Sequence, residues 1–318
     1  MTKETAPERQ NGCVLSIAGL SIHYPLRHTT IRAVENVDLA VHGNEVLGLA
    51  GESGSGKSTL ALGVLRLLRP PGRVTAGQIH FDGVELLEQS EGRFRELRWR
   101  RFAYIPQGSM SALNPVMRLQ DQFSDTLVAH GERMAPAALR ARCTEALHGV
   151  GLEPDILPRY PHELSGGMRQ RICIALALLL GPQLIIADEP TSALDVISQR
   201  VVLETLAEAR RAIGASMLLI GHDMALLAQV TDRLGIMYAG RLVEMSTTRA
   251  LFANPQHPYT RRLIASIPDV KDRRAFVSEA GESEAQWPLD APMVEVAAGH
   301  FVRPWQGGEG SSREGAAG

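Results

Sequence analysis

Apolar and polar residues alternate along the first part of the chain in the manner of half-buried strands. This alternation covers residues 14–24 and 37–41, and the short apolar run 46–50 predicts a fully buried strand. A glycine-rich segment follows, and over residues 59–68 leucine and valine recur at helical spacing. Residues 78–81 are again extended. Strand, glycine-rich loop and helix therefore follow one another in this order.

The pattern changes to helices between residues 107 and 160, where 139–147 is the clearest helix and no strong strand pattern occurs. Beyond this segment, strands and helices alternate again. The elements predicted there are strands at 184–187 and 217–220, helices at 199–213 and 224–230, and a hairpin formed by 234–238 and 241–245. Such alternation predicts a mostly parallel sheet flanked by helices.

The predicted organisation is one α/β domain at 13–268 between two flexible segments. Its core comprises 13–106 and 168–268, and the helical stretch 107–167 is an inserted subdomain. Residues 1–12 are polar and are expected to form a loose leader. Residues 269–318 are rich in charge, glycine and serine, so we expect a flexible tail that buries too little apolar surface to fold.

Composition is typical of soluble globular proteins and narrows the choice of partners. Of 318 residues, 44% are hydrophobic and 21% are charged, and the formal net charge is -2. A near-neutral chain has no electrostatic footprint for a polyanion, which argues against nucleic acid as a partner. The longest apolar run, 172–180, is about half of the roughly 20 residues that cross a bilayer, so any membrane role is peripheral.

Cysteine usage and the N-terminal sequence favour a reducing cytoplasm. Cys13, Cys143 and Cys173 have no short spacing that would hold a metal, and no apolar stretch at the N-terminus resembles a signal peptide. Arginines also crowd around Phe94 and Trp99 within residues 93–101. This cluster is either a solvated helix face, as charge runs usually are, or a contact for phosphate.

The glycine-rich segment 51–58 matches the phosphate-binding loop G-x-x-x-x-G-K-[ST] and stands between a strand and a helix, as the chemistry requires. Glycines let backbone N–H groups close around a phosphate, Lys57 adds a positive charge, and Ser58 offers an oxygen to Mg²⁺. ATP and Mg²⁺ are therefore the expected cofactors. The expected ATP contacts in this segment are Gly51, Ser53, Gly54, Ser55, Gly56, Lys57, Ser58 and Thr59.

Two adjacent carboxylates end the apolar strand at 184–187. Asp188 is the expected partner of Mg²⁺, and Glu189 is the expected catalytic group that orients or deprotonates the attacking water. The alternative is that the two acids have only a structural capping role at the end of the strand. The presence of the loop at 51–58 in the same chain makes this alternative less favoured. The combination predicts hydrolysis of ATP.

A second segment, residues 164–170, is built to receive an anion. Ser165 can cap the helix that follows, while Gly166 and Gly167 leave its first N–H groups open. The chain thus has two helix N-termini suited to phosphate but one lysine-bearing loop. Either two nucleotides bind each chain, or two chains share each nucleotide.

Together, residues 51–59, 164–170, 184–190 and 192–195, with His222, resemble the motif set of ABC-type ATPases. That resemblance implies a P-loop ATPase core with an antiparallel β subdomain and an inserted α-helical subdomain. It also implies that two ATPase subunits face each other head to tail. In such a dimer, Ser165, Gly166 and Gly167 contact the partner's ATP, so the resemblance favours shared nucleotides.

Further roles are implied by the same resemblance. Gln107 corresponds to the glutamine that senses Mg²⁺ and contacts the membrane partner, so it is expected at both the catalytic and the metal site. Asp195 corresponds to an aspartate that crosses between subunits, and His222 to a catalytic contact of the γ-phosphate. Tyr24 is the expected aromatic shelf for adenine.

Several segments place the chain near one branch of that family. The segments that resemble oligopeptide, dipeptide and nickel importer ATPases are 168–171, 191–196, 237–241 and 257–260, and the resemblance covers roughly 14–268. Residues 111–115 also fit, whereas 106–109 depart from the usual aromatic, Gln, Asp, Pro run. Many members carry a C-terminal cysteine cluster for an iron-sulfur centre. No cysteine follows Cys173, so we predict no such cluster here.

The branch implies a set of partners and a location. The partners are a second ABC ATPase subunit, either a paralogue or the same chain, two transmembrane permease subunits and an extracytoplasmic solute-binding protein. The expected location is the cytoplasmic face of the cell membrane, and the cargo remains open among peptides, nickel, metal chelates and opines. The alternatives are a non-transport ABC-type ATPase that acts on nucleic acid or ribosomes, and a regulatory module without turnover.

Overall fold

The computed structural model describes residues 12–108, 112–192, 194–267 and 291–305. Most of the predicted leader at 1–12 lies outside these residues, as do Ala193, Ser111 and most of the predicted tail at 269–318. No helix within the described ranges is long and apolar enough to cross a membrane.

The elements follow the predicted alternation. The strands are β1 (Cys13–Pro25), β2 (Thr30–His42), β3 (Val46–Ala50), β4 (Arg73–Phe81), β5 (Val84–Glu85), β6 (Phe102–Ile105), β7 (Leu184–Asp188), β8 (Ser216–Ile220), β9 (Arg233–Tyr238), β10 (Arg241–Thr247), β11 (Val294–Ala297) and β12 (His300–Val302). The α-helices are α1 (Lys57–Val64), α2 (Glu91–Leu97), α3 (Leu119–Ala129), α4 (Pro136–His148), α5 (Gly166–Leu178), α6 (Val196–Ile213), α7 (Met224–Val230), α8 (Thr248–Ala253) and α9 (Pro258–Ala265).

The core is an eight-stranded sheet with the order β11-β12-β10-β9-β3-β8-β7-β6. The strands from β9 to β6 run parallel, and both faces of this part are buried. In β3, Val46 and Ala50 belong to one apolar cluster, while Leu47 and Leu49 belong to the other. Because parallel strands end at the same edge, the residues after β3 and β7 are brought together there.

Two smaller layers complete the predicted fold class, which the structure confirms. The strands β2, β1, β4 and β5 form a four-stranded antiparallel sheet whose apolar face shares a cluster with Leu60 of α1. The helices α3 and α4 pack with α5 in the other cluster, through Phe123, Leu147 and Ile172. These layers correspond to the expected β subdomain and the expected helical insertion.

The structure differs from the sequence pattern around α1 and β6. The helix α1 ends at Val64 rather than Leu68, because Arg66 adopts a left-handed φ of 52° and donates to the carbonyl of Gln89 at 2.6 Å. The strand β6 was not predicted, since four residues before Pro106 are too short for a periodicity.

The arginine cluster at 93–101 is only in part a solvated helix face, and Arg98 within it has a structural role. Phe94 of α2 is completely buried, and the guanidinium groups of Arg66 and Arg98 lie over its ring at 4.9 and 4.7 Å. The cluster therefore covers an aromatic core residue, while Arg93 pairs with Glu96 at the surface.

The expectation that ordered structure ends near Pro268 is wrong for residues 294–302. The strand β12 pairs with β10, and β11 pairs with β12, so the chain returns to extend the sheet. His300 is buried, and its Nε2–H donates to Glu244 at 2.8 Å. A composition averaged over the tail does not reveal these few anchoring residues.

Glu244 connects this returning segment to the region before α9. Its carboxylate is fully buried and accepts from the backbone N–H of Gln256 at 2.8 Å, from that of His257 at 2.9 Å, and from His300. A buried carboxylate is tolerated only where donors surround it. Here it fastens β12 and the start of α9 to β10.

Replacing Glu244 with alanine should lower the free energy of unfolding by about 3 kcal/mol, because two buried donors and one partly buried donor lose their acceptor. Urea denaturation of both proteins at the same pH measures the difference. The matched control is Glu204→Ala, which removes a surface ion pair to Arg200 and should cost under about 0.5 kcal/mol. Equal losses in the two variants would contradict the anchoring role of Glu244.

Candidate active site

The loop between β3 and α1 has a conformation that its glycines make possible. Gly51 and Gly56 have φ angles of 147° and 102°. A Cβ atom on Gly51 would lie 2.2 Å from the carbonyl oxygen of Met237, and one on Gly56 would lie 2.2 Å from that of Ala33. The loop thus fits closely against the β9 end and β2, and α1 begins directly after it.

Lys57 lies folded into this loop. Its side chain is buried, and Nζ donates to the carbonyl oxygens of Gly51 at 2.7 Å and Glu52 at 2.8 Å and to Oγ of Ser55 at 3.1 Å. Burial lowers the pKa of Lys57, while nearby Glu189 opposes that shift. The loop therefore holds an ammonium group at the N-terminus of α1, a position suited to an anion.

Asp188 ends β7 and contacts the start of α1. Its Oδ1 accepts from Oγ of Ser58 at 2.9 Å, and its Oδ2 accepts from the hydroxyl of Tyr104 at 3.4 Å. Burial raises the pKa of Asp188, and the Ser58 bond opposes the shift. A hydroxyl and a carboxylate oxygen side by side are the hard ligands that Mg²⁺ takes, so Ser58 and Asp188 fit that ion.

Glu189 stands where three elements meet. It adopts a left-handed φ of 44°, uncommon outside glycine, and its N–H donates to the carbonyl of Ile220 at the end of β8 at 2.9 Å. Its carboxylate accepts from Nε2 of Gln107 at 2.8 Å and from Nδ1–H of His222 at 3.1 Å. The side chain is therefore oriented by partners that follow β6 and β8.

These residues border one cleft of about 670 Å³. The expected site residues that line it are Gly51, Ser53, Gly54, Gly56, Lys57, Ser58, Thr59, Gln107, Glu189 and His222. Ser55 lies beneath the loop against Lys57, and Asp188 reaches the site through Ser58. The loop, both carboxylates, Gln107 and His222 thus come together in one chain.

The remaining expected residues do not line this cleft. Ser165 is the N-cap of α5 and accepts from the N–H of Met168 at 3.3 Å, with Gly166 and Gly167 as the first residues of the helix. Asp195 is the exposed N-cap of α6, where hydrogen bonds from Ser198 lower its pKa.

Tyr24 also lies outside the cleft. It is half-buried on β1, and its ring packs closely over Gly72, where a Cβ atom would lie 2.5 Å from Cε1 of the ring. The residue therefore contributes to the packing of the β subdomain, and its contact with adenine stays a prediction.

Sequence reasoning missed several residues that build the site. Glu52 belongs to the loop, and Tyr259 accepts a hydrogen bond from the N–H of Glu52. Leu263 of α9 and Ser266, the residue after this helix, line the cleft. In the sequence, the 257–260 segment indicates only the branch of the family and not a contact with the loop. Tyr104 gave no signal because β6 is so short.

Replacing Gly51 with alanine should destabilise the protein without nucleotide by about 3 kcal/mol or more, because the new methyl group would collide with backbone. Gly54→Ala is the matched control, since Gly54 also has a positive φ of 81° but has open space around it. We expect that control to cost about 1 to 2 kcal/mol. Urea denaturation distinguishes the two, and equal losses would contradict the close fit of the loop.

Comparison with known proteins agrees with this geometry. Residues 34–192 match the ABC transporter family, and residues 243–288 match the oligopeptide/dipeptide transporter C-terminal region. A dimeric ATP-binding cassette solved in a post-hydrolysis state with ADP and Pi has the same fold, with a TM-score of 0.66, 24% identity and coverage of 74% of this chain and 99% of that chain.

Relatives extend the match over most of the chain. A dipeptide transport ATP-binding protein DppD of Caldanaerobacter subterraneus subsp. tengcongensis is 40% identical over 255 residues, which are 80% of this chain and 78% of the relative. The DppD of Bacillus subtilis is 40% identical over 259 residues, with coverage of 80% and 77%. This chain therefore belongs to the ABC transporter family, in the branch that carries the oligopeptide/dipeptide transporter C-terminal region.

Proposed function

We propose that this chain is the ATP-binding and ATP-hydrolysing subunit of a membrane importer for peptides or related small solutes. The observation that carries the proposal is the meeting of Lys57, Asp188 and Glu189 at one cleft that is open to a nucleotide. A turnover-free regulatory module would not need a carboxylate that two side chains orient.

The residues divide the work of hydrolysis. Lys57 exchanges its loop carbonyls for the β- and γ-phosphates of ATP, and the loop N–H groups close around them. Ser58 and Asp188 would hold Mg²⁺, which supplies positive charge to the phosphate oxygens when it is bound. Glu189 orients the attacking water and accepts its proton, while Gln107 and His222 fix the carboxylate.

A second subunit is needed for a complete site. Ser165, Gly166 and Gly167 form the N-terminus of α5 and do not line the cleft of their own chain. Of the two arrangements that the sequence allows, this position favours two chains that share each nucleotide. The partner is a paralogous ATPase subunit or a second copy, and ATP closes the pair around two nucleotides.

An apolar groove of about 520 Å³ beside β6 offers a contact for the permease subunits. Leu67, Trp99, Pro106, Met117 and other side chains of β6, α3 and α5 line it. Pro106 is followed directly by Gln107, so a protein seated in the groove would lie near the group that contacts Glu189. Closure of the ATPase pair would move such a partner, which couples hydrolysis to transport.

The substrate class follows from the branch rather than from the cleft. The relatives are named dipeptide transport ATP-binding proteins, and the C-terminal match is to a peptide transporter region. We therefore infer two permeases, an extracytoplasmic solute-binding protein that selects the cargo, and a position on the cytoplasmic face of the membrane. The near-neutral charge of the chain disfavours a nucleic-acid or ribosome partner.

Glu189→Gln should lower kcat for ATP hydrolysis about 100-fold or more, because the attacking water loses its base. The two phosphate-binding segments, 51–58 and 165–167, are unchanged in this variant. The variant should accumulate as an ATP-bound dimer in sedimentation with Mg-ATP and the natural partner subunit. Phosphate release and sedimentation are measured on the same samples.

The control for this experiment is Lys57→Ala, which should lose both hydrolysis and the ATP-dependent dimer, since the loop loses its cation. If wild type released no more phosphate than Lys57→Ala, the chain would be a module without turnover. If Glu189→Gln sedimented only as a monomer, the shared-nucleotide arrangement would be wrong.

Leu67→Glu should weaken co-purification with the membrane permeases about tenfold, because it puts a charge in the apolar groove. ATP binding by the isolated subunit should stay within twofold. Ile213→Glu is the matched control, since both side chains are 41% exposed and Ile213 lies outside the groove. Recovery of nucleic acid or ribosomes with wild type, in place of permeases, would favour the non-transport alternative.

A further inference from the structure

The helix α9 reaches the phosphate-binding loop through one buried tyrosine. Tyr259 is completely buried, and its phenolic oxygen accepts a hydrogen bond from the backbone N–H of Glu52 at 2.8 Å. The two residues are 207 positions apart in the chain. Tyr259 lies within residues 243–288, which match the oligopeptide/dipeptide transporter C-terminal region, so this region contacts the loop through Tyr259.

The bond from Tyr259 and a bond from Lys57 hold the same peptide group. The carbonyl oxygen of Gly51 accepts from Nζ of Lys57 at 2.7 Å, while the N–H of the following residue, Glu52, donates to Tyr259. The carbonyl and the N–H of one peptide point in opposite directions, so the plane is fixed at both ends. A glycine precedes the N–H, and glycine alone would leave this plane free to turn.

Binding of ATP changes the balance between these two bonds. Nζ of Lys57 has three donors, which it uses on Gly51, Glu52 and Ser55, so contact with the phosphates must weaken the hold of Lys57 on its own loop. Tyr259 retains its contact because it lies on the other side, at the N–H. In the occupied site Tyr259 therefore continues to restrain this peptide while the restraint from Lys57 decreases.

Tyr259 is itself held rigidly. The N–H of Tyr259 donates to Nδ1 of His257, the N-cap of α9, at 3.2 Å, and the N–H of His257 donates to Glu244. The ring packs against Tyr238 with centroids 4.6 Å apart. Burial raises the pKa of Tyr259 to about 12, so the phenol remains neutral at physiological pH. Such a group can fix the loop without adding charge to it.

Arg262 adds a second, weaker contact from the same helix. Its guanidinium pairs with the side chain of Glu52 at 3.0 Å and lies over the ring of Tyr259 at 5.3 Å. Both partners of the ion pair are more than half exposed, so this contact is screened by solvent. Of the two contacts from α9, the hydrogen bond to the buried Tyr259 is therefore the stronger restraint on the loop backbone.

We propose that Tyr259 is a positioning residue for nucleotide binding, which holds the Gly51–Glu52 peptide in the orientation that the phosphates require. The proposal rests on the proposed function of the same cleft. It gives the C-terminal region a task at the nucleotide site that is separate from the choice of cargo.

The test is Tyr259→Phe in the full-length chain, which keeps the ring and removes the acceptor. Loss of one hydrogen bond to the loop should raise the Kd for Mg-ATP about fivefold, as measured by calorimetry. The KM for ATP should rise by a similar factor, while kcat should stay within twofold of wild type. Tyr160→Phe is the matched control, because the ring contacts of Tyr160 with His162 and Arg118 survive the change. Its Kd should remain within twofold of wild type.

A second measurement, amide hydrogen exchange at Glu52, already tests the proposal on wild type alone. Without nucleotide, the amide hydrogen of Glu52 in wild type should exchange with solvent at least tenfold more slowly than an unstructured amide, and in Tyr259→Phe this protection should disappear. A Kd for Tyr259→Phe within twofold of wild type would overturn the proposal. If that variant did not fold, unprotected exchange at Glu52 in wild type would overturn it and protected exchange would support it.

The proposed function fails in a different way. If wild type bound ATP no more tightly than Lys57→Ala does, the assignment of the nucleotide site itself would be wrong, whatever the exchange rate at Glu52. If wild type bound ATP and Tyr259→Phe bound it equally well, the nucleotide site would stand and the positioning role would fall.

Discussion

The hydrogen bond between Ser58 and Asp188 joins residues that are 130 positions apart. The active site depends on the alignment of β3 and β7 that makes this bond possible. Ser58 follows β3, and Asp188 ends β7, so the bond forms only if the parallel strands finish at one edge in the correct register. The pairings of β3 with β8 and of β8 with β7 provide that register. The sheet is thus the part that determines the distance between the loop cation and the two carboxylates.

This alignment places a buried positive charge and a buried negative charge close together in the site. Burial disfavours the charge on Lys57 and also the charge on Asp188, yet each lies close enough to the other to offset part of that cost. Removal of either partner leaves a buried charge poorly compensated. A nucleotide with its metal ion brings both signs of charge into the same cleft, so the unliganded site is suited to such a ligand.

The sequence was most informative where local chemistry and periodicity agreed. The buried runs of β3, β7 and β8 and the loop at 51–58 could be predicted because each has a strong local pattern. The tertiary contacts could not be predicted from local patterns. Neither the 2.8 Å bond from Glu52 to Tyr259 nor the buried acceptor role of Glu244 leaves a periodic trace, and the return of β12 depends on a few residues within a polar tail. The roles proposed for Ser165 and Asp195 concern a surface between two chains, and a single chain does not contain that surface.

The strands β11 and β12 also change which backbone groups meet solvent at the side of the sheet. They cover the outer edge of β10, so β11 becomes the terminal strand, and its Val294 and Val296 are 45% and 51% exposed with Glu295 between them. An uncovered β10 would present a row of unpaired backbone groups to neighbouring molecules, a template for aggregation. A chain shortened before residue 291 would keep its phosphate-binding loop but would lose this protection, and it would aggregate more readily as its concentration increased.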